Sequence, residues 1–152
     1  MAQYETDNYA SGYALAAKGG VYPQWAEFDT NVSPGANIGN VVLALNDEIR
    51  LCWLPTPGRL EWYAIDIPDL DGGADLVFDL RDGLGNVIQS AIIAGQAGGR
   101  ITAHSAAVRQ LAIREYVASA TSYLTLLVTT AAASAPGTTG NRVVGNVCYR
   151  SS

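Results

Sequence analysis

Charged residues are scarce in this sequence of 152 residues. Asp, Glu, Lys and Arg together make up 15% of the chain, against about 25% in an ordinary soluble domain. The basic residues are scattered, with no run of Lys or Arg, and the formal net charge is −5. A surface of this sign repels phosphate, which argues against nucleic acid as a partner.

Long apolar runs are also missing, although hydrophobic residues account for 49% of the sequence. No stretch approaches the roughly 20 apolar residues that a membrane-spanning helix needs. The first residues, MAQYETDNYASGY, lack the basic start and the apolar segment of a secretory signal. We therefore expect no membrane partner, and synthesis and folding in a cytoplasm.

Cysteine and histidine are too few to suggest a metal site or covalent catalysis. Cys52 and Cys148 fit no CxxC or Cys/His spacing, and both fall in predicted strands, which favours buried free thiols over a disulfide. His104 has no carboxylate or cysteine beside it, and no G-x-S-x-G motif is present. A Ser-His-Asp set assembled from distant positions stays an open alternative. The sequence predicts a non-enzymatic protein that holds no metal and no cofactor.

Alternation with a period of two, the pattern of β-strands, is abundant. It is clearest between Glu48 and Asp82, where three alternating runs are separated by Pro- and Gly-containing turn signals at 55–58 and 68–73. The middle run places two sets of residues on opposite faces, namely Leu60, Trp62, Ala64 and Asp66 against Glu61, Tyr63, Ile65 and Ile67. We interpret the three runs as a β-meander.

Further strands are predicted on both sides of this stretch. They are Val21 to Asn31, Val41 to Leu45, Val87 to Ile93 (a strand or a short helix), Leu111 to Val117, Tyr123 to Thr130 and Asn141 to Arg150. A hairpin is predicted at Gly83 to Asn86, a flexible loop at Ala94 to Gly99, and a crossing between sheets at Arg100 to Arg109. About eight strands at this spacing predict an all-β sandwich or barrel.

The first 20 residues have a different composition from the rest, being polar and rich in tyrosine. We expect an extended or partly helical N-terminal arm at 1–20 and a β-sandwich domain at 21–152. Tyrosine is favoured at interfaces because it offers a large amphipathic surface with little rotamer entropy. The candidate residues for contact with a partner or another subunit are Tyr4, Tyr9, Tyr13, Tyr22 and Trp25. In the alternative interpretation, the tyrosines pack against their own domain.

Aspartates and tryptophans are the remaining candidates for a site. Six aspartates (Asp66, Asp69, Asp71, Asp75, Asp79 and Asp82) fall within 17 positions. We interpret them as turn-forming residues; a calcium loop at Asp69, Asp71 and Asp75 or a glycosidase pair of carboxylates are the alternatives. Trp25, Trp53 and Trp62 are either a sugar-stacking platform or core and interface aromatics, with Trp53 and Trp62 as a cross-strand pair.

Several segments together carry a family resemblance. They are the start YETDNYASGY followed by GGVY, the runs NDEIRLCWLP and GRLEWYAIDIPDLDGGADLVFDLRDG, the loop AGQAGG, and a TTG loop before a strand that closes in Val147-Cys148-Tyr149. Over most of its length the chain resembles the capsid decoration, or cement, proteins of tailed bacteriophages. These motifs are turn and strand patterns, and the family offers no catalytic residues to carry over.

The resemblance implies a single-domain jelly-roll-like β-sandwich. It further implies a homotrimer on the outer surface of the virion head, which bridges neighbouring major capsid protein subunits and braces the shell against the pressure of the DNA. Two other functions stay open at this stage. One is a carbohydrate-binding module that uses the tryptophans, and the other is a different virion part, such as a head fibre base or a tail component.

Overall fold

Strands account for nearly all the regular structure of the described residues. The computed structural model describes residues 1–6, 24–29, 41–53, 58–102, 115–116, 123–136 and 142–151, with the backbone alone described at 24–29, 58–59, 115–116 and 149–151. Within these ranges lie ten strands, β1 (Gln3–Glu5), β2 (Gln24–Asp29), β3 (Glu48–Trp53), β4 (Gly58–Ile67), β5 (Val77–Asp82), β6 (Val87–Ile92), β7 (Gly99–Thr102), β8 (Glu115–Tyr116), β9 (Tyr123–Thr130) and β10 (Val144–Ser151). A 3-10 helix spans Ala94–Gln96. No helix in the described residues has the length and hydropathy to cross a membrane.

The strands form two facing sheets with jelly-roll topology. Sheet A has the order β1-β3-β9-β5-β6, and sheet B has the order β2-β10-β4-β7, with β8 also paired to β4. When β1 and β8 are set aside, the remaining eight strands form two four-stranded sheets, β3-β9-β5-β6 and β2-β10-β4-β7, which is the strand order of a jelly roll. This confirms the predicted all-β, jelly-roll-like sandwich.

The β-meander predicted between Glu48 and Asp82 is wrong. Its three strands do form, as β3, β4 and β5, but β9 separates β3 from β5 in sheet A and β4 belongs to sheet B. Alternation in a sequence reports which face of a strand is buried, and it carries no information about which strand lies beside it. The chain therefore changes sheet after β3 and again after β4.

The core lies between the two sheets, and most of its described side chains come from alternate positions of β3, β4, β5, β6 and β9. In β4, Tyr63, Ile65 and Ile67 are buried on the predicted face, but Leu60, which was predicted on the opposite face, is fully buried as well. The reason is a β-bulge, because Trp62 pairs with Cys148 and Leu60 pairs with Tyr149, which leaves Glu61 as the extra residue. The bulge turns Leu60 into the core.

Several local predictions are confirmed and one is overturned. Tyr123–Thr130 forms β9, the central strand of sheet A, and Val87–Ile92 forms a strand rather than a helix. The predicted strand at 41–45 does not form. Leu43 there is fully buried while Val42 and Leu45 are exposed, and the Leu43 carbonyl accepts a hydrogen bond from the Ala132 N–H (2.9 Å) in the connection after β9.

Both cysteines are buried free thiols, as predicted. Cys52 lies in β3 and Cys148 in β10, in different sheets. Burial raises the pKa of the Cys52 thiol, which keeps it protonated and unreactive.

The first six residues are an integral part of sheet A. β1 pairs in parallel with β3, and the Thr6 hydroxyl donates to the Leu51 carbonyl. The Ala2 N–H donates to Asp47 Oδ1 (2.6 Å), and the Glu48 N–H donates to the Ala2 carbonyl (3.0 Å). Residues 7–20 lie outside the described ranges, so the division into an arm at 1–20 and a domain at 21–152 stays a prediction.

Candidate functional site

The outer face of sheet A gathers aromatic and charged side chains from three strands that are distant in sequence. Leu124, Leu126 and Val128 of β9 are buried in the core, so the alternate residues Tyr123, Thr125 and Leu127 belong to the opposite face. Trp53 is opposite Tyr123 across the β3–β9 pair. Their rings meet edge to face, with centroids 5.5 Å apart and an interplanar angle of 74°, a favourable geometry for an aromatic pair.

Arg50 ties this face together. Its guanidinium lies 5.2 Å from the centroid of the Tyr123 ring, within range of a cation–π interaction. Its Nε is 3.4 Å from Glu48 Oε2, and its Nη1 is 3.9 Å from Glu5 Oε1. One arginine thus bridges β1, β3 and β9, and its positive charge is matched by two carboxylates.

A groove of about 250 Å³ runs beside this cluster. Its floor is formed by β9, one wall by Glu48 of β3, and the other wall by the end of β5 with the following hairpin. The lining residues are Glu48, Arg81, Asp82, Gly83, Leu84, Gly85, Tyr123, Thr125 and Leu127. The groove therefore combines an apolar and aromatic floor with charged groups at its walls, a composition suited to protein recognition.

The hairpin that forms one wall of the groove is held in a fixed conformation by Asp82. The buried Asp82 carboxylate accepts hydrogen bonds from the Leu84 N–H (3.0 Å), the Asn86 N–H (2.8 Å) and Asn86 Nδ2 (2.8 Å). Gly85 has a φ of 87°, in the left-handed region that glycine adopts at low cost. At the tip, the Leu84 side chain is 72% exposed, so the turn presents an apolar side chain on a rigid support.

Arg81, on the same wall of the groove, forms an ion pair with Asp79 and has one buried nitrogen without a hydrogen-bond partner in the described residues. Its Nη2 donates to Asp79 Oδ2 (2.7 Å), whereas its Nε–H is buried without a hydrogen-bond partner within the described part of the chain. The other oxygen of Asp79 accepts from the Ala91 N–H (3.2 Å). The Arg81 side chain is 28% exposed and lines the groove beside this ion pair.

The interpretation of the six aspartates as turn residues is confirmed for Asp71 and Asp82, whereas Asp66 and Asp79 lie within β4 and β5 and pair with arginines. Asp71, 2% exposed, accepts on Oδ1 from the N–H groups of Gly73, Ala133 and Ser134, and on Oδ2 from those of Asp75 and Leu76. Burial acts to raise the pKa of Asp71, but hydrogen bonds from backbone N–H groups outweigh it and hold that pKa below its usual value. Asp71 thereby joins the β4–β5 connection to the β9–β10 connection.

This geometry decides between the interpretations of the aspartate cluster. Both oxygens of Asp71 are occupied by N–H donors, which leaves them poorly placed to bind calcium together with Asp69 and Asp75. Asp66 forms a two-point ion pair with Arg100 (both contacts 2.7 Å); that hydrogen bonding and the positive charge lower the pKa of Asp66 against the effect of burial. In the described residues, no group of three or more His, Cys, Asp or Glu could hold a metal ion.

Of the candidate contact residues, Tyr4 is the one whose side chain is described. It lies in β1, is half-buried and packs against the core; burial, followed by the charge of Asp47, raises its pKa. Trp25 lies in β2, opposite Cys148 of β10, with its backbone alone described. Tyr9, Tyr13, Tyr22 and His104 lie outside the described residues. Tyr4 is not among the described residues that line the groove.

The tryptophans do not form the cross-strand pair that the sequence suggested. Trp53 lies in sheet A and Trp62 in sheet B, so the two belong to different sheets. Trp62 is half-buried and packs against the core. Trp25 of β2 and Trp62 of β4 both pair with Cys148, since their strands lie on either side of β10. The three residues therefore form one row across sheet B.

The groove was missed from the sequence for a topological reason. Its residues come from β3, β5 and β9, and their proximity depends on a strand order that alternation does not encode. A weak signal was present, since Arg50 and Arg81 alternate with apolar residues that face the core, Ile49 and Leu51 in β3 and Leu80 in β5. Such residues belong on the outer face of a sheet, but nothing in their spacing places Tyr123 beside them.

Comparison with known proteins establishes the fold. The chain resembles a solved structure described as the capsid of Ralstonia phage GP4, with a TM-score of 0.67 and 20% sequence identity. The match covers 99% of this chain and 99% of that one. No protein-family model matches the sequence, and no curated protein matches it either. The likeness is therefore one of architecture, and it extends over the whole β-sandwich.

Proposed function

We propose that this protein is a non-enzymatic structural component of a tailed-phage virion. In this proposal it decorates and stabilises the capsid as a cement protein on the outer surface, with the major capsid protein as its partner. The observation that carries the proposal is the likeness to the capsid of Ralstonia phage GP4 along 99% of both chains. The sequence resemblance to decoration proteins points independently to the same class.

The construction of the molecule supports a mechanical role. The buried carboxylates of Asp47, Asp71 and Asp82 lock connections at the ends of the strands through hydrogen bonds to main-chain N–H groups. Such loops are stiff without being long, which suits a part that must resist deformation. The outer face of sheet A displays Trp, Tyr and Arg, the residue types that dominate binding energy in protein interfaces.

We further propose that the protein acts as a homotrimer that bridges capsid subunits. A chain with 15% charged residues and 49% hydrophobic residues gains from burying surface between copies, and closed symmetry satisfies each copy equally. Many copies on one shell make a weak contact effective through multivalency. Light scattering of the purified protein should give the mass of a trimer, and a stable monomer at micromolar concentration would contradict this assembly.

Binding to heads that lack this protein tests the proposed function. We expect the wild-type protein to bind such heads and to raise the temperature at which they release their DNA. Absence of binding at any salt concentration would refute the decoration role.

The predicted contact role of the N-terminal tyrosines needs variants that leave sheet A intact. Deletion of 1–20 would remove β1 and its bonds to β3, so loss of binding would be ambiguous. The triple variant Tyr9→Ser, Tyr13→Ser, Tyr22→Ser leaves β1 in place, and we expect at least about tenfold weaker binding to heads, as for loss of central interface aromatics. Tyr4→Phe is the control, because it keeps the packing of Tyr4 against the core. Unchanged binding of the triple variant would remove these residues from the interface.

A carbohydrate-binding module is the second candidate function, favoured by the row that Trp25 and Trp62 share on sheet B. Their strands flank β10, which separates them by about 10 Å, or two inter-strand spacings. Binding on a glycan array that is lost in Trp62→Ala and retained in Trp53→Ala would support it. A head fibre base or a tail component is the alternative within the virion, and imaging of the particle distinguishes it from a decoration protein.

A further inference from the structure

The sequence contains Asp-Gly bonds at Asp71-Gly72 and at Asp82-Gly83, and it contains no Asn-Gly bond. Asp-Gly is the dipeptide in which an aspartate reacts most readily with its own backbone, because glycine has no Cβ to obstruct the approach. The glycine nitrogen attacks Cγ of the protonated carboxyl group, a C–N bond forms, and the amide proton and the carboxyl hydroxyl leave as water. Water then opens the resulting succinimide ring at either carbonyl, which gives aspartate or isoaspartate.

Both glycine nitrogens are held by main-chain carbonyls that lie in β9 or in the connection after it. The Gly72 N–H donates to the Ser134 carbonyl (3.2 Å), and the Gly83 N–H donates to the Tyr123 carbonyl (3.0 Å). A nitrogen has to give up its proton to attack Cγ, and here each proton is bound to an acceptor. Gly72 also has little room to shift, since a Cβ there would lie 2.6 Å from Ser134 Oγ and 2.9 Å from the Ala135 carbonyl oxygen.

Both carboxylates are held by other donors. Asp71 accepts five main-chain N–H groups, and Asp82 accepts two, together with a bond from the Asn86 side chain. The two aspartates are 2% and 3% exposed. Rotation of either carboxylate toward its glycine nitrogen would break these bonds and leave N–H groups unsatisfied. The same bonds hold the pKa of Asp71 below its usual value, whereas ring closure needs the neutral acid.

We propose that Asp71-Gly72 and Asp82-Gly83 are isoaspartate-forming sites at which the native fold suppresses the reaction. At each site one hydrogen bond binds the glycine nitrogen and a set of donors fixes the carboxylate, so ring closure requires a local opening that breaks both. The rate of reaction then follows the population of the open state. This property goes beyond the proposed function and does not depend on it. In a particle that is assembled once, it would slow chemical ageing.

The first experiment counts ring closures in water enriched in the heavy oxygen isotope, because each hydrolysis of the succinimide adds one labelled oxygen. Mass spectrometry of peptides from the native protein reads the label at the two sites separately, and Asp75, which is exposed and precedes a leucine, gives the background. The reference is the same protein unfolded in guanidinium chloride. We expect label to accumulate at least about tenfold more slowly in the native protein at both sites. A native rate within about twofold of the unfolded rate at either site would overturn the proposal.

The second experiment uses Asn86→Ala, which changes one site and leaves the other as an internal control. The substitution removes the bond from Asn86 Nδ2 to Asp82 Oδ2 (2.8 Å) and none of the bonds to Asp71. Asn86 is exposed, so the variant keeps the fold. We expect label at Asp82 to accumulate about fivefold faster than in wild type, and label at Asp71 to stay within about twofold. An unchanged rate at Asp82, or an equal increase at both sites, would overturn the proposal, because local bonds to the carboxylate would then not control the reaction.

Discussion

Asp71 and Arg81 lie within ten residues of each other in sequence and occupy two regions with opposite properties. At the end of the sandwich, Asp71 accepts five main-chain N–H groups and is 2% exposed. On the outer face of sheet A, Arg81 uses one nitrogen for Asp79 and keeps a buried Nε–H unpaired. Asp71 joins two connections through main-chain donors, whereas Arg81 pairs with a side chain of its own strand. One short stretch of chain thus contains a residue that stabilises the fold, Asp71, and a residue at the candidate interface, Arg81.

The largest predicted effect is the loss of stability when Asp71 is replaced. Asp71→Ala leaves several N–H groups of two connections without acceptors, which should lower the free energy of unfolding by about 3 kcal/mol. Chemical denaturation monitored by tryptophan fluorescence measures it. Asp75→Ala is the matched control, as this aspartate is exposed, and it should stay within about 0.5 kcal/mol of wild type. Equal stability of the two variants would show that Asp71 does not hold these connections.

Gly95 tests how closely the 3-10 helix at Ala94–Gln96 packs against the core. A Cβ at Gly95 would lie 2.7 Å from Phe78 Cε2 and 2.9 Å from Leu76 Cδ2, too close for either core side chain to stay in place. Gly95→Ala should therefore cost about 1–3 kcal/mol of stability through overpacking. Gly85→Asn serves as the control, because a Cβ at Gly85 meets nothing within 4 Å and Asn tolerates positive φ. A stable Gly95→Ala variant would contradict the close approach of the 3-10 helix to β5.

The pH dependence of stability sharpens the same contrast. The pKa of Asp71 is lower in the folded protein than its ordinary value of 3.8. Its contribution to stability is therefore complete above the unfolded-state pKa and is lost as the pH falls through the folded-state pKa. We expect wild-type stability to decline below about pH 4, and Asp71→Asn, which has no proton to gain, to show a smaller decline. Parallel profiles for the two proteins would show that another group governs acid unfolding.

The smallest loss of stability is expected when Arg81, at the candidate interface, is replaced. Arg81→Gln removes an ion pair with Asp79 whose side chains are 28% and 12% exposed. The Ala91 N–H still binds the Asp79 carboxylate, so we expect a loss of about 1.5 kcal/mol. The same substitution should weaken head binding about tenfold. A thermal denaturation curve beside a binding isotherm gives both quantities. If Arg81→Gln were as destabilising as Asp71→Ala, Arg81 would belong to the scaffold and the distinction would fail.

A strand of this protein could be predicted from the sequence where one of its faces is apolar and buried and the other is polar. Phe78 and Leu80 are buried in the core, and the intervening Asp79 lies on the opposite face, paired with Leu127 of β9. The period of two therefore predicted β5 correctly. It misplaced Leu60, because a bulge at Glu61 depends on the register with β10. The order of the strands depends on contacts between residues far apart in sequence, such as those that place β9 between β3 and β5. For that reason the meander prediction was wrong.

The candidate site was less predictable than the fold for the same reason. Asp71 was correctly interpreted as a turn residue, because its carboxylate binds the N–H groups of neighbours two to five positions away, such as Gly73 and Leu76. Asp66 and Asp79 were wrongly included, because their ion pairs with Arg100 and Arg81 lie within strands. The groove joins Glu48, Arg81 and Tyr123 across 75 positions of sequence. No local pattern reports such a juxtaposition. The tyrosines chosen for their composition stay predictions, apart from the packing of Tyr4 on the core.

Cryo-electron microscopy of the phage particle that contains this protein tests the central proposal most directly. The account predicts the jelly roll on the outer surface of the head, in threefold clusters, with the outer face of sheet A and its Arg81 groove against a capsid subunit. Density for the protein in the tail or inside the shell would contradict the decoration role. Density on the surface with the Arg81 groove facing solvent would contradict the assignment of the interface.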